Sequence, residues 1–250
     1  MASVVLGIDA AWTERQPSGV AVAVHEDAGW RLAGVFGSYA DFTGQTAAAP
    51  PGHLIAASAR IAGRPPDIVA VDMPLSRRPI TTRREADNAV SRAFGRRKCS
   101  THSPGPHRPG SIGRDLQNHL SISGYPLATL TVSPPCTIEV YPHPALLALT
   151  GAAERLPYKV GKRRSYWPAA TGLDRLERLF TVWRSICLAL DAQIGGVAAA
   201  LPLPAPESSN AVLKSFEDKL DAIVCAWVGI ETINGRTKPY GDADAAIWIP

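Results

Sequence analysis

The chain opens with an apolar stretch, VVLGID, that ends on a carboxylate, Asp9. Residues 3–10 are predicted to form a strand. The apolar segments 19–26 and 30–39 follow it after short polar or glycine-containing connections, which is typical of an antiparallel meander. The segment 66–75, PDIVAVDMPL, is apolar almost throughout, as expected of a central parallel strand that is buried on both faces. The pattern therefore predicts a mixed sheet with an antiparallel and a parallel part.

The rest of the pattern predicts helices around this sheet. Apolar residues at helical spacing indicate long helices over 171–194 and 211–235. Turn and cap residues predict a helix from near Pro51 to Gly63, a helix over 82–95 with Thr81 or Thr82 as its N-cap, a helix starting within 116–122, a strand from Cys136 followed by a helix from near Pro144, and a last strand within 242–250. This order has the connectivity of the ribonuclease-H-like α/β architecture, a mixed sheet flanked by helices. We expect one domain, 1–250, with a basic helical and loop insertion at about 76–125.

Composition narrows the class of protein. The 250 residues are 46% apolar, which suits a globular domain and argues against a wholly disordered chain. No run of about eighteen apolar residues occurs, so no membrane-spanning helix is predicted, and the N-terminus lacks the charged region of a secretory signal. The cysteines are scattered without a paired framework, which favours a reducing, cytoplasmic location.

Basic residues are concentrated in two segments. The first contains Arg77, Arg78, Arg83, Arg84, Arg92, Arg96, Arg97, Lys98, Arg108 and Arg114, opposed only by Glu85 and Asp87, and the second contains Lys159, Lys162, Arg163 and Arg164. Such clusters attract phosphates, and the alternative is a solvated basic face or loop. The candidates for binding a nucleic-acid substrate are Arg83, Arg84, His102, Lys159 and Arg163.

Carboxylates stand at the ends of the predicted strands. Asp9 ends the first strand, Asp72 ends the segment VAVD, and Glu139 lies in TIEVYP, while Asp218 and Asp221 share one face of the last long helix. The carboxyl ends of parallel strands meet at one edge of a sheet, where such folds bind ligands. Carboxylates that converge there would repel one another unless cations neutralised them. Hard oxygen ligands suit Mg²⁺ or Mn²⁺, and two such ions about 4 Å apart can clamp the oxygens of a phosphodiester.

Each carboxylate also has a structural interpretation. Asp9 could be a turn residue at the end of its strand, and Asp72 could cap the turn before Met73 and Pro74. Glu139 lies between apolar neighbours, where an unpaired charge is costly, so a salt bridge to a core Arg or Lys is its main alternative. Asp221 could favour the N-terminal half of its helix through the helix dipole.

The combination of short motifs is more specific than any one of them. The segments GIDAAW, SGVAV, VDMPL, RREADNAVSRAFG, STHSP, IEVYPHPA and DKLDAIVCAW together resemble the DUF429 family of predicted nucleases with a ribonuclease-H-like fold, from Gly7 to about Gly229. The resemblance implies a metal-dependent nuclease with acidic residues at Asp9, Asp72, Glu139 and Asp221. It also implies that Arg84, Asp87 and the STHSP loop lie near the site.

The sequence therefore predicts a Mg²⁺- or Mn²⁺-dependent nuclease acting on DNA or RNA. Its expected metal ligands are Asp9, Asp72, Glu139, Asp218 and Asp221, and a metal-bound water would attack the phosphorus atom. Two alternatives remain open at this stage. One is a nucleotide-dependent phosphotransferase or ATPase of the same superfamily, and the other is a module that binds nucleic acid without cutting it.

Overall fold

A computed structural model describes residues 3–13, 15–44 and 52–250. Its centre is one mixed sheet with the strand order β3-β2-β1-β4-β5-β7-β6. The strands are β1 (Val4–Asp9), β2 (Gly19–Glu26), β3 (Gly29–Phe36), β4 (Ile68–Asp72), β5 (Cys136–Val140), β6 (Lys238–Gly241) and β7 (Ala246–Ile249). β1, β4, β5 and β7 are parallel to one another, whereas β1–β2–β3 and β6–β7 are antiparallel. The predicted mixed sheet is confirmed.

Helices fill the connections between these strands. The α-helices are α1 (Tyr39–Thr43), α2 (Gly52–Ala62), α3 (Glu85–Phe94), α4 (Ile112–Ile122), α5 (Pro142–Thr150), α6 (Arg163–Tyr166), α7 (Gly172–Asp191), α8 (Val197–Ala200) and α9 (Asn210–Ile233). Single 3₁₀ turns span Gly95–Arg97 and Val160–Lys162. Among the described residues, no helix is long and apolar enough to span a membrane.

Several predicted boundaries are wrong for local reasons. β3 ends at Phe36 and not near residue 39, because Ser38 caps α1 by accepting a hydrogen bond from the Asp41 amide at 3.0 Å. The N-cap of α3 is Arg84 and not Thr81 or Thr82. The Arg84 amide donates to Asp87 Oδ2 at 3.0 Å, which fixes the start of this helix.

Other elements differ from the prediction in length. α4 begins at Ile112, before the predicted 116–122, and α5 begins at Pro142, where a proline suits the first helical turn. β6 was not predicted, since its four residues, KPYG, carry no apolar alternation. The predicted helix start near Pro51 lies outside the described residues.

Two apolar layers cover the sheet. On one face, α5, α7 and α9 pack on the inward residues of β1, β4 and β5. On the other face lie α1, α2 and α4, whose apolar residues contact the alternate residues of the same strands. Because both faces are covered, the central strands are apolar at nearly every position, as parallel strands usually are. α3 packs separately against β6 and β7 at the edge of the sheet.

Glycines on β1 and β2 let α9 lie directly on the strands. A Cβ added to Gly7 would come within 2.2 Å of the Ala222 carbonyl oxygen, and one added to Gly19 within 2.1 Å of the Asp218 carbonyl oxygen. Gly19 is the register partner of Asp9 in the β1–β2 ladder. The missing side chain at Gly19 therefore allows the Asp218 turn of α9 to sit beside the carboxyl end of β1.

Replacement of Gly19 by alanine is expected to lower the free energy of unfolding by about 2 kcal/mol or more, because the new methyl group would overlap backbone atoms of α9. The measurement is urea unfolding followed by circular dichroism. Gly172→Ala is the matched control, since no atom lies within 4 Å of a Cβ at that position in the first turn of α7. Equal stabilities of the two variants would contradict the close approach described above.

Candidate functional site

Asp9 and Asp72 stand side by side at the carboxyl end of adjacent parallel strands. They are register partners in the β1–β4 ladder, and both fall on the face of the sheet that α9 covers, because side chains alternate along a strand. Both are partly exposed and line a cleft of about 480 Å³. The structure therefore brings these two predicted site residues together.

The environment of this pair disfavours ionisation of both carboxyl groups. Burial first, and then the charge of Asp221, raises the pKa of Asp9 well above its usual value, although Lys159 acts in the opposite direction. Burial likewise raises the pKa of Asp72 to about 7, with Lys159 opposing and Asp221 adding to the shift. The carboxylates would lose their protons more readily if a cation bound between them.

The carboxylates of α9 have lysine partners. Asp221 is fully buried, accepts a hydrogen bond from Tyr158 Oη at 2.7 Å and forms an ion pair with Lys159. Lys214 donates to Glu217 Oε1 at 2.9 Å. Lys214 also pairs with Asp218, which borders the cleft. Asp221 is absent from the cleft lining, so of the two predicted helix ligands only Asp218 faces the cavity.

Glu139 lies on the opposite face of the sheet from Asp9 and Asp72. Its register partner on β4 is Val71, which packs in the other apolar layer. The Glu139 carboxylate accepts hydrogen bonds from the Leu75 amide at 2.8 Å and from Arg84 Nη1 and Nη2 at 2.6 and 2.8 Å. The sequence alternative of a salt bridge to a core arginine is what the structure contains.

Arg84 joins two buried carboxylates. Besides Glu139 it contacts Asp87, through Nη2 to Oδ1 at 2.9 Å. Burial by itself would lower the pKa of Arg84, but the charges and hydrogen bonds of Glu139 and Asp87 raise it, so the guanidinium stays charged. Arg84 therefore supports the turn between β4 and α3, and its nitrogens are occupied by protein acceptors.

The other predicted phosphate-binding residues occupy different places. Arg83 donates to Asn88, Ser91 and Thr101, and so ties the 101–103 loop to α3. That loop carries His102, which is exposed and lines the cleft. Arg163 lies outside the cleft lining and donates to Asn210 Oδ1 at 2.7 Å.

The cleft wall also contains residues that were not predicted as site residues. The aromatic rings of Tyr141 and His143 follow β5, and Arg155 and Lys214 contribute cationic groups. The motif IEVYPHPA contains the first two, whereas Arg155 and Lys214 stand in stretches with no recognisable motif. Trp12 and Arg108 face the same cavity, with the guanidinium carbon 5.6 Å from the ring centroid.

The donor set fits one type of metal site. Within the described ranges, no three His, Cys, Asp or Glu side chains are grouped so that they could ligate one ion. Mg²⁺ commonly binds proteins through one or two carboxylates and keeps its other positions for water and substrate phosphates. The pair Asp9 and Asp72, side by side on adjacent strands, fits a Mg²⁺ or Mn²⁺ ion held in that open manner.

The buried arginine at the start of α3 should be essential for stability. Arg84→Met leaves Glu139 and Asp87 buried without their cation, so we expect the free energy of unfolding to fall by about 3–5 kcal/mol. Arg92→Met in the same helix is the control. It removes an ion pair to Glu85 whose arginine side chain is 65% exposed, and it should cost less than about 1 kcal/mol in denaturant titrations. Similar losses for both variants would contradict the assigned role of Arg84.

Comparisons with known proteins support the resemblance seen in the motifs. A family model described as "Protein of unknown function (DUF429)" matches residues 7–123 and 125–245. No curated protein and no solved structure is detectably similar. The matched segments cover nearly the whole chain and contain every residue of the cleft described above. The chain belongs to the DUF429 family.

Proposed function

We propose that the protein is a Mg²⁺- or Mn²⁺-dependent nuclease with a ribonuclease-H-like fold. The observation that carries this proposal is the Asp9–Asp72 pair, level on adjacent parallel strands at the floor of a cleft with cationic residues on its wall. A two-carboxylate floor suits a divalent ion, and the cations suit a polyanion. The phosphodiester backbone of DNA or RNA could bind both the metal ion and the cationic residues of the cleft wall.

The order of the sheet supports the fold part of the proposal. An antiparallel β1–β2–β3 meander is followed by β4 and β5, both parallel to β1, as expected for the ribonuclease-H-like architecture. α9 crosses β1, β2 and β4 on the face that carries Asp9 and Asp72. β7 and β6 extend the sheet beyond β5.

The metal site proposed here has fewer ligands and fewer ions than the two-ion site predicted from the sequence. Glu139 is held by Arg84, and Asp221 by Tyr158 and Lys159, so neither is free to ligate without losing a buried partner. We therefore propose that Asp9 and Asp72 hold one ion, with Asp218 at the border of the cleft. When bound, the ion would polarise a phosphodiester and lower the pKa of a water molecule.

Other residues of the chain would position the carboxylates and the substrate. Lys159 and Lys214 neutralise the carboxylates of α9 and so keep that helix against the floor of the cleft. His102 and Ser103 face the cavity from their loop, where His102 could orient a water or a phosphate. Trp12 offers a ring face on which an unpaired base could stack.

The state of the cysteines supports a proposal for the compartment. Cys99, Cys136, Cys187 and Cys225 are all unpaired and buried. Unpaired thiols are typical of proteins kept in a reducing environment. We propose a cytoplasmic location on this ground.

The nuclease proposal is tested with wild-type protein, Asp72→Asn and the control Asp27→Asn, which removes an exposed carboxylate from the β2–β3 turn. Mn²⁺ should raise the melting temperature of the wild type and the control, and both should cut single- or double-stranded DNA or RNA. Asp72→Asn should lose the thermal shift and about a hundredfold or more of the activity.

Other outcomes separate the alternatives. Stabilisation by ATP together with phosphate transfer would favour a phosphotransferase. Tight, salt-sensitive nucleic-acid binding that persists in EDTA without cleavage would favour a binding module. Cleavage that Asp72→Asn leaves intact would overturn the assignment of the site.

A pH dependence follows from the raised pKa values of the pair. The pKa of Asp72 is about 7 in the folded protein against an ordinary value of 3.8, so the folded state binds more protons between these limits. The metal-free protein should therefore lose stability as pH rises from about 4 to about 7, and Mn²⁺ affinity should increase over the same range because the ion displaces protons.

Urea unfolding in EDTA at pH 5 and pH 7.5 measures the first effect, and calorimetric Mn²⁺ titration measures the second. Asp72→Asn should weaken the pH dependence of stability, whereas Asp27→Asn should retain it. A metal affinity that did not change with pH would contradict protonation of the carboxylate pair.

A further inference from the structure

We propose that Arg155 and His143 form a phosphate-binding subsite in the cleft that also contains the Asp9–Asp72 pair. For the proposed nuclease this subsite would hold a phosphate next to the one that is cleaved, and in that respect it rests on the proposed function. Binding of phosphate itself requires no metal and no catalysis, so it can be tested separately.

Arg155 is a cation without a protein acceptor. Its Nε is buried and makes no hydrogen bond, and among the described residues no carboxylate forms an ion pair with its guanidinium. The two lysines of the cleft differ, because Lys159 pairs with Asp221 and Lys214 pairs with Glu217 and Asp218. A guanidinium in the cleft wall that donates to no protein acceptor is available to an anion, and charge-assisted hydrogen bonds of that kind are among the strong ones.

His143 is a second polar residue on the lining of the same cavity. The residue is 5% exposed and its Nδ1 has no hydrogen-bond partner. Its ring packs edge-on against Tyr141 and Tyr158, with centroids 5.3 Å apart in each case, which fixes its orientation. Burial, followed by the charges of Lys159 and Arg155, keeps the pKa of His143 well below its usual value, so the neutral ring can donate one N–H.

The segment that carries Arg155 is held on both sides. The Arg155 amide donates to the Arg97 carbonyl at 2.9 Å, and the Arg97 guanidinium donates to the carbonyls of Ala152 and Ala153 at 2.6 and 2.9 Å. Further along, Trp183 Nε1 donates to the Tyr158 carbonyl at 2.8 Å. An anion site built on such a fixed segment requires little reordering when the ligand binds.

The surroundings suit an oxyanion such as phosphate. A planar guanidinium matches two oxygens of a phosphate. On another part of the wall, Arg108 and Trp12 form a cation–π pair at 5.6 Å, a surface that suits a nucleobase. The same cavity thus suits both parts of a nucleotide.

The experiment uses the full chain in EDTA, so that no divalent ion contributes. Calorimetric titration with inorganic phosphate compares the wild type with Arg155→Gln, His143→Phe and the control Arg184→Gln, which removes an exposed arginine of α7. Arg155→Gln should weaken binding by at least about tenfold, because it removes a charge-assisted contact, and His143→Phe should weaken it less. Arg184→Gln should bind like the wild type.

Repulsion by the nearby carboxylates is controlled by repeating the titrations in the Asp9→Asn/Asp72→Asn background. Phosphate binding should be retained or strengthened there, while the Mn²⁺ response disappears. Loss of the Mn²⁺ response with intact, Arg155-dependent phosphate binding supports the subsite whatever becomes of the nuclease proposal. Absence of phosphate binding in both backgrounds, or equal binding by Arg155→Gln and Arg184→Gln, would overturn it.

A second set of titrations identifies the source of the phosphate. The probes are a labelled single-stranded oligonucleotide with and without a 5′-phosphate and a nucleoside 5′-monophosphate, followed by fluorescence anisotropy and calorimetry. If an internal phosphodiester occupies the subsite, Arg155→Gln weakens both oligonucleotides and lowers the salt slope by about 0.7. If a terminal phosphate occupies it, only the 5′-phosphorylated oligonucleotide and the mononucleotide lose affinity.

Discussion

The ammonium group of Lys159 pairs with the fully buried carboxylate of Asp221 and lies 3.6 Å from that of Glu217, and the burial of Asp221 against the sheet depends on this cation. Burial of an unpaired carboxylate is costly, so the helix depends on a cation from a distant segment. That segment is anchored in turn by Trp183 of α7, which binds the Tyr158 carbonyl, and by the Val160 amide, which donates to Glu217 at 2.5 Å. One set of ion pairs and hydrogen bonds therefore joins α7, α9 and the loop before α6.

The register of the parallel strands explains which site residues could be predicted from the sequence. Asp9 and Asp72 are register partners at the ends of adjacent parallel strands. Their proximity therefore follows from the strand boundaries, which the apolar pattern predicts well. Glu139 also stands near the end of a buried strand, which is why the sequence groups it with them. Its register partner on β4 is Val71, one residue before Asp72, so its side chain points to the opposite face of the sheet. Its real partner, Arg84, is 55 residues away in the chain.

The sequence shows where basic residues are concentrated, but it does not show which of them have protein partners. The density of basic residues from Arg77 to Arg114 predicts phosphate binding by that segment. In the structure, however, Arg83 and Arg84 donate hydrogen bonds to protein acceptors. Arg155 comes four residues before the second basic cluster, and no local pattern distinguishes it as a residue of the cleft. A count of charges along a chain cannot distinguish a committed guanidinium from a free one, because that difference depends on tertiary partners.

The charges that the fold leaves without partners are therefore more informative than those it pairs. Buried Asp221, Glu217 and Glu139 each have a cation, and Lys159 and Arg84 each have an anion. Asp9 and Asp72 on the floor of the cleft, and Arg155 on its wall, share one cavity without forming an ion pair with each other. The carboxyl groups keep the cost of partial burial, which raises their pKa values, and Arg155 keeps the cost of a charge without a counterion. A ligand that presents a cation to the floor and a phosphate to the wall would relieve both costs at once.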